Sequence, residues 1–75
     1  MGHTMRTVIN AFEVLEIARR VERNGASFYR KAAEYAGSQN LRQALLNLAI
    51  AEENHEKTFA EMAEQLQSIV MQFQV

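Results

Sequence analysis

From Leu41 onward the chain carries one long register: Leu41, Leu45, Leu48, Glu52, His55, Phe59, Met62, Leu66, Ile69 and Phe73 recur at strictly alternating steps of four and three. That is the spacing of a helical seam that packs against a neighbour, and it is incompatible with the two-residue period of a strand. Two consecutive positions in the middle of the seam hold a carboxylate and an imidazole where Leu or Ile would pack. An ionised carboxylate in an apolar seam is costly unless it is paired or coordinates a metal. Glu52 and His55 lie one turn apart on the same face, so the interruption is a candidate metal-binding pair.

The rest of the composition supports helix throughout. There is no proline, all nine acidic residues are glutamate, and no segment alternates in the strand manner, so the fold class is all-α. Seventy-five residues allow one domain with a modest core, and a chain of this size commonly needs a disulfide, a metal or a partner subunit. Without cysteine, disulfides and thiolate-ligated metals are excluded. A net charge of -1 with no basic run argues against nucleic acid, and no apolar run reaches the roughly 18–20 residues that span a bilayer. The start lacks the basic and apolar regions of a signal peptide, and Arg6 stands at the position where myristoylation needs Ser or Thr. A cytoplasmic setting is expected, with a protein compartment inside it as a variant. Residues 1–6 read as a tag remnant or disordered start, so His3 is given no role, and residues 7–75 read as one helical hairpin.

A first helix is expected from about Thr7 to Ala36. Its most apolar row is Leu15, Ala18, Glu22, Gly25, Tyr29, Ala32 and Ala36, again with a carboxylate inside it. Arg19, Arg20 and Arg23 fall on what reads as a solvated face. Gly25, inside this helix, costs about 1 kcal/mol relative to alanine and leaves space within one turn of Glu22. Gly37 is the natural stop, through the left-handed conformation that glycine accepts. Ser38 or Asn40 can cap a second helix, with Asn40 and Gln43 as a capping box, and that helix should run from about Asn40 to Gln72. A connection this short makes the helices antiparallel neighbours.

Glu22 lies sixteen positions before Ser38, and Glu52 and His55 lie fourteen and seventeen after it. At about 1.5 Å per residue, all three reach heights of roughly 21–26 Å from the turn. The two polar interruptions should therefore face each other. A single hairpin would leave half of each seam uncovered, whereas two copies close it as a four-helix bundle. Two-fold symmetry then gathers two copies each of Glu22, Glu52 and His55 into one layer, whose four carboxylates two divalent cations would neutralise. Phe59, Met62, Leu66, Ile69 and Phe73 are expected in the core.

The combination of Glu22, Tyr29 seven residues on, and Glu52-x-x-His55 resembles the ferritin-like di-iron carboxylate superfamily. The stretches Glu22-Arg-Asn-Gly-Ala-Ser-Phe28-Tyr29 and Ala51-Glu52-Glu53-Asn54-His55-Glu56 look most like its rubrerythrin branch, over about residues 8 to 66. By that resemblance Glu22 is a terminal metal ligand, Glu52 a bridging ligand, His55 a nitrogen ligand, and Tyr29, the catalytic candidate, a hydrogen-bonding residue beside the centre. The resemblance implies a di-iron centre shared between two chains, with Mn or Zn as alternative metals, and oxidation of Fe(II) by dioxygen or peroxide. It implies a homodimer or a multiple of dimers, because family members with four core helices in one chain have twice the helices found here. Their cysteine-ligated electron-transfer iron cannot be built by this sequence, and Gly25 stands where the family carries an additional glutamate. The alternative reading is a non-catalytic helical dimerisation module in which buried Glu and His fix register.

Overall fold

The computed structural model describes residues 2–73, which form two helices, α1 (Gly2–Glu34) and α2 (Gln39–Gln72). They pack side by side as an antiparallel hairpin with principal extents of 58 × 17 × 10 Å. The long axis is close to the length of one 33-residue helix, about 50 Å. The all-helical reading therefore holds, and the two boundaries at the turn fall within two residues of their expected positions. Helix α1 begins at Gly2 rather than Thr7, because Gly2 to Arg6 contains no proline or cap strong enough to stop helix from propagating backward. Met1, Gln74 and Val75 lie outside the described residues.

The turn departs from expectation at Gly37. Among the described residues no glycine has a positive φ, so the left-handed stop is absent. Helix α1 instead ends in a tightened turn, with Tyr35 N–H donating to the Ala32 carbonyl at 3.1 Å and Ala36 N–H to Ala33 at 3.2 Å. The Ala33 carbonyl also accepts from Arg42 Nε at 3.3 Å. Carbonyls left over at a helix end need such partners, and here the second helix supplies one. Ser38 is the cap of α2, its hydroxyl accepting from Leu41 N–H at 3.1 Å with extended backbone (φ -142, ψ 157). The Asn40–Gln43 box is not used: Gln43 Nε2 donates to Asn47 Oδ1 at 3.0 Å.

The surface between the helices is made of small side chains. Ala26, Ala33 and Ala49 are buried, and alanine at these positions lets two helix backbones approach closely. The large apolar residues lie elsewhere. Val14, Ile17, Val21 and Phe28 on α1, Tyr35 just after it, Leu41, Leu48, Met62 and Ile69 on α2, and Phe73 at its C-terminal end are exposed. Met62, Ile69 and Phe73 are thus not core residues of one hairpin, because a single neighbouring helix covers only part of a seam. Phe59 and Leu66 are half-buried.

The consequence is measurable. A compact monomer of 8.6 kDa should expose about 4,700 Å², whereas this chain exposes 5916 Å². The radius of gyration is 17.2 Å, against about 11 Å for a compact domain of this length.

Candidate metal centre

Glu22 sits near the middle of α1, and Glu52 and His55 sit one turn apart near the middle of α2. The antiparallel turn brings them to the same height, as their distances from Ser38 require. One ligand atom from each lies within 4.8 Å of the others. The Nδ1 of His55 is 3.4 Å from Glu22 Oε2 and 4.0 Å from Glu52 Oε2. All three expected ligands are therefore brought together within one chain.

Burial is graded across the cluster. The Glu22 and Glu52 side chains are 18% and 24% exposed, while His55 is 59% exposed. Glu22 Oε2 is itself buried and has no hydrogen-bond partner. The imidazole at 3.4 Å is near enough to attract this oxygen if protonated, but it is not aligned as a hydrogen-bond donor. A buried acceptor without a partner costs about 1–3 kcal/mol, and native structures seldom keep one without a reason.

Gly25 supplies the space for the second carboxylate. A Cβ at this position would stand 3.3 Å from Glu52 Oε2, 3.4 Å from its Cδ and 3.5 Å from its Cγ. The end of the Glu52 side chain thus lies directly over the bare Cα of α1. An orphaned carboxylate oxygen and a carboxylate cradled on glycine, both beside an imidazole, form a donor set that fits a divalent transition metal.

The neighbouring glutamates are arranged differently. Glu56 accepts from Arg19 Nε at 3.2 Å and from Arg23 Nη1 at 3.1 Å, and Glu53 accepts from Arg30 Nη2 at 2.6 Å. Arg19 and Arg23 therefore do not form a purely solvated face; they tie α1 to α2. Nor does Arg19 pair with Glu22, since its carboxylate partners are Glu16 and Glu56. This clamp escaped the sequence reading, although the spacing of Arg19, Arg23 and Arg30 by four and seven, opposite Glu53 and Glu56, carries its signal. Tyr29 is half-buried, with its ring edge-on to Phe28 at a centroid distance of 5.6 Å.

Two open grooves among the described residues do not include the cluster. The larger, about 790 Å³, is lined by residues such as Phe12, Ala63 and Met71; the smaller, about 310 Å³, lies among Arg23, Arg30, Glu53 and Glu56. Among the described residues no helix is long and apolar enough to cross a membrane.

Fold and site together describe an all-helical hairpin with a carboxylate–histidine group that could hold a metal ion. The family model described as Rubrerythrin matches residues 13–72, which is most of the chain and includes all three candidate ligands. The chain belongs to the rubrerythrin family, within the ferritin-like di-iron superfamily. No curated protein and no solved structure matches it.

Proposed function

We propose that this protein is a di-iron carboxylate oxidoreductase whose centre is completed when two copies pack their exposed apolar faces together. The observation that carries this reading is the convergence of Glu22, Glu52 and His55 within 4.8 Å, with the imidazole left on the open side. Val21 and Phe28 on α1, and Leu48 and Met62 on α2, are exposed on either side of these residues along the helices. The excess surface of about 1,200 Å² per chain exceeds the roughly 800 Å² per partner of a standard stable interface. A two-fold pairing then assembles four carboxylates and two imidazoles, the ligand set of di-iron four-helix bundles.

In this reading Glu22 and Glu52 neutralise the cations and His55 adds the nitrogen that favours iron over calcium or magnesium. Bound iron supplies two electrons, one from each ferrous ion, enough to take dioxygen to peroxide or peroxide to water. Tyr29, two turns from Glu22 on the same row, acts as a phenolic hydrogen-bond donor beside the centre. Manganese and zinc compete for the same donors.

Metal content per chain, measured together with solution mass, is the decisive test. One iron per chain in a particle of twice the chain mass, with aerobic Fe(II) oxidation that fails in Glu52→Ala and persists in Glu53→Ala, is the expected result. A dimer that takes up no metal would leave the chain a dimerisation module, and a folded monomer at micromolar concentration would remove the shared centre.

A further inference from the structure

Gly25 is hard to account for by helix physics. It stands in the interior of a 33-residue helix, where alanine is the better residue. It is not at a turn and does not have a positive φ. What it does is leave a hollow filled by the Glu52 carboxylate, whose Oε2 would be 3.3 Å from an added Cβ, tighter than ordinary contact. The same oxygen lies 4.0 Å from His55 Nδ1.

We propose that Gly25 is a positioning residue for the metal: its bare Cα holds Glu52 against α1, where the carboxylate reaches both the Glu22 and the His55 side of the centre. This inference rests on the metal reading above and adds to it a residue that touches no metal. A methyl group at position 25 pushes the carboxylate outward by a few tenths of an ångström. In the metal-free chain Glu52 can swing aside, so the substitution should then show only its helix-forming benefit. With metal bound, the three ligands must converge and the displacement cannot be avoided.

The experiment compares wild type, Gly25→Ala and Gly37→Ala, the last because a Cβ there meets nothing within 4 Å. Each is melted in chelator by circular dichroism and titrated with Fe(II) under anaerobic conditions. Gly25→Ala should melt about 4–8 °C higher than wild type without metal, yet bind Fe(II) at least about tenfold more weakly, as removal of a residue that orients a ligand typically does. Gly37→Ala should bind like wild type. Unchanged Fe(II) affinity in Gly25→Ala overturns the proposal. So does a lower melting point in chelator, or failure to fold, since either would mean that glycine serves close helix packing. Wild-type protein that binds no Fe(II) overturns the metal reading itself, and the missing wild-type isotherm distinguishes that failure.

Discussion

Replacing Glu22 with leucine should make the metal-free protein more stable and the metal-loaded protein less so. In the metal-free chain Glu22 Oε2 is buried without a hydrogen bond, at a cost of about 1–3 kcal/mol. Leucine removes that orphan and the repulsion between the Glu22 and Glu52 carboxylates, and adds an apolar side chain to a row already holding Leu15 and Ala18. For a chain of this length each kcal/mol moves the melting temperature by about 4–8 °C, so the gain in chelator should be at least about 4 °C. Wild type should recover more than this with metal. A ligand at a hundred times its dissociation constant stabilises the native state by about 2.7 kcal/mol, or more than about 10 °C on the same scale. Glu22→Leu should lose this metal-dependent rise. Differential scanning fluorimetry with EDTA and with Zn(II), at one protein concentration, reads both effects. A leucine variant that melts below wild type in EDTA, or that keeps the Zn(II) shift, would refute the assignment of Glu22 as a ligand held in readiness at a cost in stability.

Phe28→Glu places a charge on a residue that is 68% exposed in one hairpin and covered in the proposed dimer. Burying phenylalanine contributes about 1.5–3 kcal/mol per copy, so the dissociation constant should rise at least about a hundredfold, read by sedimentation; an unchanged mass would place the interface elsewhere. Gly37→Ala should raise stability by about 0.4–1 kcal/mol in urea unfolding by restricting the unfolded chain, whereas a loss would mean that the turn needs glycine after all. Glu56→Ala removes the shared partner of Arg19 and Arg23 and should lower stability by about 1 kcal/mol in thermal melts, with little loss of metal if the clamp and the centre are separate.

Much of this arrangement could be read from residue spacing because antiparallel helices joined by a short turn convert sequence distance into height. Counting outward from Ser38 was enough to bring Glu22 level with Glu52 and His55. The same arithmetic found the space at Gly25, since a small residue one turn from a ligand is visible as a pattern. What it missed depends on the reach of long side chains between the helices. Gly37 looked like a left-handed stop, but Arg42 reaches back from α2 to the Ala33 carbonyl, which no local propensity encodes. Arg19 and Arg23 looked solvated because their partner, Glu56, lies 37 and 33 residues away. The exposure of Met62, Ile69 and Phe73 has another cause: the seam shows which residues share a face, and a single neighbouring helix covers only part of that face.

The arginine contacts to Glu53 and Glu56 bear on how α2 keeps its orientation. In the string Glu52-Glu53-Asn54-His55-Glu56, Glu52 with His55 and Glu53 with Glu56 are two interleaved pairs, each spaced by one turn. Turning α2 about its own axis by a single residue, about 100°, would exchange one pair for the other and aim the wrong carboxylates at Glu22. Arg19, Arg23 and Arg30 hold only the second pair. Because Arg19 and Arg23 share the Glu56 carboxylate and Arg30 holds Glu53, the rotated arrangement would break all three contacts between the helices and set Glu53 or Glu56 against Glu22. The basic side chains thus work as a key that admits α2 in one angular setting, and they do so from the flank of Glu52 opposite His55.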